Sequence, residues 1–382
     1  ADLVVVGRFA NKEAMAAVGA TGAIINLIVN LFMGLSVGTS VIVAQDYGAQ
    51  DAKAIEKSVH TSITVSIIAG IVVMVLGLLL CNPMLIMIGT PADIIDLSAV
   101  YMRIYFLGVP ASMIYNFGAA ILRAIGDSRR PMYYLVISGI TNVLLNMYFV
   151  IVLNMSVNGV AWATIISQYL SMILILWCLI RNEERTIRLN LRKLHIDREK
   201  LAKVIKIGLP AGLQSLLFSI SNVLIQSAIN SFGTAMVAAS SAAGNIEGFV
   251  ATPMNAYYNA AITYTGQSMG AKKYDRIDEI AKICTILTFA TWIIVGGLTM
   301  IFSRPLLSIF NSDPEVIRLG AIRINVLMVA YFTCGIMNVF PGLTRGMGYS
   351  VLPMLCTLIG ACLFRIVWLV TFFKWFRNVY ML

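Results

Sequence analysis

Long apolar runs recur along nearly the whole chain and decide which solvent it can fold in. Apolar residues make up 59% of the 382 positions and charged residues only 12%, whereas a soluble domain carries about 25% charge. A helix needs roughly 20 apolar residues to cross a bilayer, and only helices or closed barrels satisfy the backbone in lipid. The runs are too long for barrel strands, so we predict an all-α polytopic membrane protein. The ten predicted full spans are at about 14–44, 57–81, 95–122, 133–153, 157–180, 207–232, 235–265, 281–303, 319–343 and 352–376.

Basic residues are concentrated in alternate loops between these runs. Nine Lys or Arg residues lie between Arg181 and Lys206, whereas the loops at 154–159 and 231–236 contain none. This asymmetry follows the positive-inside rule, which predicts that the basic loops face the cytoplasm. The net charge of +10 therefore reflects membrane topology, and we expect no nucleic-acid partner.

Cysteine and histidine give no sign of a metal centre or an enzymatic site. The six Cys lie within or beside apolar runs without a Cys-x-x-Cys pair, and the two His, His60 and His195, are far apart in sequence. A zinc site needs several ligands together, and nucleophilic catalysis needs a nucleophile beside a base. We therefore expect no catalytic residues, no enzymatic activity and no cofactor.

The second half of the chain repeats the first at an offset of 222 residues. "RAIGDSRRPM" (123–132) matches "RGMGYSVLPM" (345–354), and "AQDYGAQ" (44–50) matches "GQSMGAK" (266–272). An even number of predicted spans separates the two copies of the first motif, so the halves are parallel repeats. We predict an N-terminal lobe at 1–181, a cytoplasmic linker at 182–200 and a C-terminal lobe at 201–382.

The repeated loop itself is predicted to be a tight cytoplasmic turn. Gly126 and Gly348 suit a backbone conformation that other residues avoid. Pro131 and Pro353 suit the first turn of the helix that follows.

Polar residues inside the apolar runs are the best functional candidates, because they are costly in lipid. A buried Asp2 would bind H⁺ or Na⁺, and no other metal is expected. Asn142 and Asn146 share one helix face at i and i+4, and Thr164 in the next span is placed to join them. These four residues form the predicted cation- or proton-coupling site. The alternative for the amides is interhelical hydrogen bonding that only packs the helices.

A second polar set lies in the C-terminal half. Glu247 is the membrane carboxylate of this half, and Arg365, in "LFRIVWLV", either balances that charge or binds an anion. Asn222 and Gln226 belong to a polar stripe that should face a lumen. Tyr257 offers a ring to flat cations, with core filling as its alternative. The predicted substrate-cavity residues are Glu247, Asn222, Gln226, Asn255, Tyr257 and Arg365.

Several segments, in this order and at these distances, resemble the multidrug and toxic compound extrusion (MATE) transporters, and the DinF-like bacterial branch in particular. The resemblance implies two pseudo-symmetric six-helix lobes, with twelve helices expected, the first truncated and the twelfth missing here. The segments are "DLVVVGRFANKEAMAAVG" (2–19), "AQDYGAQ" (44–50), "LRAIGDSRRPM" (122–132), "IKIGLPAGLQS" (205–215) and "GQSMGAKKYD" (266–275).

The resemblance also implies roles for individual residues. Asp2 matches the first-helix aspartate of the family's cation site, Asn142 matches its fifth-helix Asn, and Thr164 its sixth-helix Thr. Asn146 departs from the pattern, because relatives of this branch often carry Asp there. One matched carboxylate leaves the choice between H⁺ and Na⁺ open.

Together these features predict a multi-pass antiporter of the bacterial cytoplasmic membrane that exports organic cations by alternating access of two lobes. Its expected partners are small organic, cationic substrates and the lipid bilayer, and we expect a monomer. A flippase for lipid-linked saccharides or other amphiphiles of the same superfamily is the alternative. That function needs a strongly cationic lumen. Arg365 favours this alternative, whereas the acidic residues Asp2 and Glu247 argue against it.

Overall fold

The computed structural model describes residues 12–87, 90–91, 93–184, 186–311 and 313–371. Within these ranges every regular element is helical, which confirms the predicted all-α class. The α-helices are α1 (Lys12–Gly48), α2 (Ala52–Met87), α3 (Ile95–Ala124), α4 (Arg129–Met147), α5 (Val157–Ile180), α6 (Arg198–Asn230), α7 (Thr234–Gly270), α8 (Asp275–Thr291), α9 (Gly297–Ile301), α10 (Ser303–Ser308), α11 (Pro314–Gly346), α12 (Val351–Thr357) and α13 (Phe364–Val370). Wider π-helical turns continue α4 over Tyr148–Val152, join α8 to α9 over Trp292–Gly296, and join α12 to α13 over Leu358–Leu363.

Most of these helices suit a bilayer. Nine stretches of the described chain are long and apolar enough to cross a membrane. Outward-facing side chains are apolar as well, with Leu79 70% and Ile86 67% exposed on α2. Helix α7 is long enough to cross a bilayer but is not one of these nine apolar stretches. Asn245, Glu247 and Asn255 interrupt its apolar sequence.

Helix α3 is the centre of the first compact unit, Ala1–Gly212. Of the residues in the most apolar stretch of α3, 67% are buried inside the protein, whereas in α2 the share is 39%. Phe106 and Met102 on α3 are fully enclosed. A Cβ added to Gly77 of α2 would lie 2.3 Å from the Phe106 ring. The two helices therefore pack at a distance that only glycine permits at this point.

Helices α1 and the start of α6 pack backbone against backbone. Each carries two glycines four residues apart, Gly34 and Gly38 on α1 and Gly208 and Gly212 on α6. A Cβ on Gly34 would lie 2.2 Å from the backbone N of Gly212, and a Cβ on Gly212 would lie 2.1 Å from the Leu31 carbonyl oxygen. Such small-residue spacing lets two membrane helices approach closely. The predicted lobe boundaries at 181 and 201 remain a prediction.

The basic segment between α5 and α6 lies against the first turns of α2. The backbone N–H of Asn190 donates to Nε2 of His60 at 3.2 Å, and that of Asp197 donates to Oγ1 of Thr61 at 3.0 Å. The Asp197 carboxylate also pairs with the Lys57 ammonium at 3.0 Å. The hydrogen bond from Lys57 holds the pKa of Asp197 below its ordinary value. The segment is thus fixed to the first unit by its own polar contacts.

The second compact unit, Leu213–Leu382, is built around α7, α8 and α11. A glycine again sets a close approach, because a Cβ on Gly335 of α11 would lie 2.1 Å from the Thr288 methyl group on α8. The buried apolar side chains of this core include Ile246, Val250, Met254, Leu307, Ile324 and Met328.

Backbone geometry supports the predicted duplication. Gly126 and Gly348, which are 222 residues apart, both have φ of 97°. Gln50 and Lys272 have the same spacing, and both have φ of 56°. A left-handed conformation is rare outside glycine, so its recurrence at matched positions is a specific sign of repetition. The predicted tight turn at the repeated loop is confirmed.

Matched side chains behave alike too. Pro131 and Pro353 lie in the first turns of α4 and α12, as the sequence predicted. Asn116 donates to a carbonyl four residues before it at 2.7 Å, and Asn338 does the same at 2.9 Å. Each half therefore repeats both the turn and the helix that precedes it.

Candidate functional site

Three predicted coupling residues meet on two neighbouring helices of the first unit. Asn142 and Asn146 lie one turn apart on α4, and Thr164 lies on α5. Nδ2 of Asn146 donates to Oδ1 of Asn142 at 3.1 Å, and Nδ2 of Asn142 donates to Oγ1 of Thr164 at 3.3 Å. Asn146 is completely buried. The spacing of the asparagines thus places their side chains on the face of α4 that contacts α5.

This polar row offers amide and hydroxyl groups at a membrane depth where such groups are costly. Amide and hydroxyl oxygens are ligands that Na⁺ accepts, and the amide N–H groups donate hydrogen bonds to a carboxylate. Asp2, the fourth predicted member, lies outside the described residues, so its place beside the row stays a prediction.

The second unit contains a partly open cavity of about 850 Å³. A volume of this size falls in the range of small-molecule sites, roughly 300–1,000 Å³. Side chains from α6, α7, α11 and α13 form its walls. Five of the six predicted cavity residues line it, namely Asn222, Gln226, Glu247, Asn255 and Arg365.

Tyr257, the sixth predicted residue, is not among the residues that line this cavity. Its hydroxyl forms a 2.7 Å hydrogen bond with Oγ1 of Thr291 on α8. Asn255 and Tyr257 are two residues apart on α7, and positions with this spacing point to nearly opposite sides of a helix. Because Asn255 faces the cavity, Tyr257 packs against a neighbouring helix instead.

Among the described residues, three charged side chains face the cavity. Nη1 of Arg365 donates to Oδ1 of Asn222 at 3.0 Å, and the guanidinium carbon lies 4.8 Å from the centre of the Phe218 ring. Glu247 interacts with the Tyr331 hydroxyl and with the Arg323 guanidinium. Neither arginine forms a salt bridge with a carboxylate of the described chain.

The sequence-based prediction missed Arg323 and Tyr331. Arg323 lies in "LGAIRINVLMVAY", inside the predicted span at 319–343. A lone arginine in an apolar run is itself a functional signal, so the pattern contained the information. Tyr331 carried no such signal, because a tyrosine in an apolar helix is usually a packing residue.

No group of three or more His, Cys, Asp or Glu side chains able to hold a metal ion occurs in the part of the chain that the structure describes. The candidate sites are instead two sets of amides, hydroxyls and isolated charges on membrane helices. This chemistry suits binding and release rather than covalent catalysis.

The family profile that matches this chain is MatE, over residues 1–148 and 210–371, which is most of its length. The chain belongs to the MatE family. The resemblance to MATE transporters drawn from the sequence motifs is therefore confirmed.

Individual relatives agree with this membership. The chain is 26% identical over 364 residues to the probable multidrug resistance protein YoeA of Bacillus subtilis, covering 92% of this chain and 77% of that protein. It is 24% identical over 367 residues to the probable multidrug resistance protein NorM of Thermotoga maritima, covering 94% and 78%. These relatives are transporters rather than enzymes.

A solved structure, a MATE protein in its straight conformation, shows the same fold. Its TM-score with this chain is 0.92 at 23% identity, over 100% of this chain and 85% of that one. The MatE-family chain is thus a bacterial multi-pass membrane transporter of the multidrug-efflux class, as its motifs and topology predicted.

Proposed function

We propose that this MatE-family chain is a secondary-active antiporter that exports organic cations in exchange for H⁺ or Na⁺. The observation that carries the proposal is the cavity of about 850 Å³ in the second unit with Glu247 in its wall. A carboxylate among apolar and amide groups attracts a cation that has lost its water shell. Asn222, Gln226 and Asn255 add hydrogen-bonding groups that orient a ligand.

The coupling ion is proposed to bind in the first unit, at Asp2 with Asn142, Asn146 and Thr164. The hydrogen-bonded row from Asn146 through Asn142 to Thr164 supports this assignment. Ion binding there shifts the protein towards the state that releases substrate only if the ion binds that state more tightly. By reciprocity, bound substrate must weaken ion binding to the same extent.

In the proposed cycle the two lobes alternate between outward and inward access. Asp2 takes up H⁺ or Na⁺ from outside while the substrate leaves the cavity. Release of the ion to the inside then resets the cavity for the next substrate. The proposed role requires that Asp2 be taken out of water, because burial makes a carboxylate hold its proton or a cation more tightly.

The test uses everted membrane vesicles and a fluorescent organic cation. The wild type should accumulate the dye when an H⁺ or Na⁺ gradient is imposed, and Asp2→Asn should abolish this gradient-driven uptake. Asp275→Asn, which changes an exposed carboxylate at the start of α8, is the matched control and should transport normally. Undiminished coupled uptake by Asp2→Asn would overturn the role given to Asp2.

A flippase for lipid-linked saccharides is the second candidate, since Arg323 and Arg365 both line the cavity. It predicts that the purified protein moves a fluorescent lipid-linked saccharide between leaflets and leaves small cationic dyes untouched. Dye transport without lipid movement decides for the antiporter.

A further inference from the structure

His60 is a buried histidine near the start of α2 and belongs to neither candidate site. It is only 1% exposed, although it lies in the first turns of its helix. The basic segment between α5 and α6 contacts it twice. The backbone N–H of Asn190 donates to its ring, and the His195 ring stacks on it with 6.0 Å between the ring centres. These are the two histidines of the chain.

The hydrogen bonds of His60 fix the protonation state of its ring. Nδ1 lies 2.7 Å from the carbonyl oxygen of Glu56, one turn earlier on α2. A carbonyl oxygen only accepts hydrogen bonds, so Nδ1 carries the hydrogen. Nε2 accepts the N–H of Asn190 at 3.2 Å and therefore has a free lone pair. Both contacts exist together only in a neutral imidazole with its hydrogen on Nδ1.

Protonation of the ring is incompatible with this arrangement. A proton taken from water by Nε2 turns the acceptor into a donor, which places one N–H group against another. Asn190 is exposed, so its N–H can bond to water once the contact is lost. A buried imidazolium also needs water around its charge. The charged ring therefore favours a state in which this part of the segment has moved away from α2.

The charged groups near His60 do not offer it a free counter-charge. Three ion pairs lie at this end of the unit, namely Glu56 with Lys193, Lys57 with Asp197, and Asp46 with Lys200. The carboxylates of these pairs already have lysine partners. The other titratable groups at this end are His195, Tyr47, Glu184, Tyr115 and Arg123. A second proton on His195 would add a like charge beside the His60 ring.

Both ends of the segment have contacts that do not involve the imidazole. The backbone N–H of Leu189 donates to the carbonyl oxygen of Leu179 on α5 at 3.0 Å, and Leu189 itself is buried. At the other end Asp197 is held by Thr61 and Lys57. The stretch that depends on His60 is therefore short, from 190 to 196.

We infer that His60 is a pH sensor whose neutral ring holds residues 190–196 against α2 and whose protonation releases them. The inference goes beyond the proposed ion exchange and uses neither Asp2 nor the cavity. The released state binds one more proton, so attachment weakens as the pH falls. Imidazole is the side chain that changes charge between about pH 5 and pH 8. Acid on the predicted cytoplasmic side therefore loosens the connection between α5 and α6.

Amide hydrogen exchange of the full chain in lipid nanodiscs tests this inference. Exchange is followed by mass spectrometry and divided by the rate of an unstructured reference peptide at each pH. Protection of 190–196 should fall about tenfold between about pH 7.5 and about pH 5, the size of one hydrogen bond. The turn at 270–274 has backbone hydrogen bonds but no histidine, and its protection should stay constant. Constant protection of 190–196 overturns the inference.

Two variants identify the responsible ring. In His60→Gln the side chain no longer titrates, so protection of 190–196 should be equal at both pH values. His195→Gln leaves the contact between Nε2 of His60 and Asn190 in place and should retain the fall. A fall that survives in His60→Gln and disappears in His195→Gln would assign the response to His195 and overturn the role given to His60.

A spectroscopic measurement on the wild type covers the case in which His60→Gln does not fold. In nitrogen-15 spectra of labelled histidine, one of the two rings should be neutral with its hydrogen on Nδ1 at about pH 7.5. The same ring should become an imidazolium in step with the loss of protection at 190–196. A ring that stays neutral while this stretch loses its protection contradicts the proposed sensor.

Discussion

Lys200 in the first turn of α6 donates a hydrogen bond to Asp46 in the last turn of α1, with 2.6 Å between Nζ and Oδ2. Both side chains are largely buried, 9% and 16% exposed respectively. Asp46 also accepts a hydrogen bond from Ser58 on α2. This pair joins the end of one membrane helix to the beginning of another within the first unit.

Removal of either partner should destabilise the first unit. Lys200→Met leaves Asp46 buried without its counter-charge, and breaking a buried pair costs about 3–5 kcal/mol. We expect a lower melting temperature for the purified protein, measured by intrinsic fluorescence. Adding Asp46→Leu to Lys200→Met should recover part of the loss, because no buried charge then remains.

Lys203→Met is the matched control for this prediction. Lys203 pairs with Glu199 at 2.6 Å, but their side chains are 51% and 73% exposed. Exposed pairs of this kind contribute little to stability because water screens them, so the melting temperature should barely change. Equal losses in Lys200→Met and Lys203→Met would contradict the assignment of the buried pair.

The glycine contact between α1 and α6 should tolerate no side chain. In Gly212→Val the new carbon would start 2.1 Å from the Leu31 carbonyl oxygen, so the helices must separate. We expect the free energy of unfolding to fall by at least about 1–3 kcal/mol, the range typical of overpacked sites. The yield of folded protein should fall as well. Gly139 on α4 has open space around it, and Gly139→Ala should be neutral or slightly stabilising.

The polar row on α4 and α5 should matter for coupling more than for stability. In Asn142→Leu both the bond to Thr164 and the bond from Asn146 are lost. We expect gradient-driven efflux to fall about tenfold, since one polar contact made by the coupling ion is removed, while dye binding in the second unit persists. Thr141→Val, which removes only a hydrogen bond to Ile137 within the same helix, should transport normally.

The basic segment before α6 should detach from the first turns of α2 in acid. The hydrogen bond from Lys57 lowers the pKa of Asp197 below its ordinary value of 3.8. A lowered carboxyl pKa stabilises the contact above that ordinary value, and the stabilisation is lost as the pH falls through the lowered one. Pepsin cleavage of the segment, normalised to an unfolded substrate, should therefore accelerate below about pH 4. In Lys57→Met the rate should be higher at pH 5 and should depend less on pH, whereas Lys53→Met should behave as wild type.

Much of this architecture was predictable from the sequence, because a bilayer leaves few options for a chain with such long apolar runs. The offset of 222 residues predicted matching tight turns at Gly126 and Gly348, and both glycines have a φ of 97°. The i, i+4 spacing of Asn142 and Asn146 predicted their shared face. Both features follow from the spacing of residues along the chain, which can be read directly from the sequence.

Other features depended on packing that no local pattern encodes. Tyr257 and Asn255 are close in sequence but face different neighbours, and the choice between their two faces follows from the position of α8. The importance of Arg323 follows from its approach to Glu247, which lies on another helix. The role of Gly212 likewise appears only when Leu31 of α1 is placed against it.

The most direct test of the central proposal is transport by the purified full chain in liposomes, with the Na⁺ gradient and the pH gradient imposed separately. The movement of a fluorescent organic cation is followed under each gradient. The proposal predicts that one of the two gradients drives substrate movement against its own concentration, and that collapsing this gradient stops it. Movement that never exceeds the passive equilibrium under either gradient would contradict antiport.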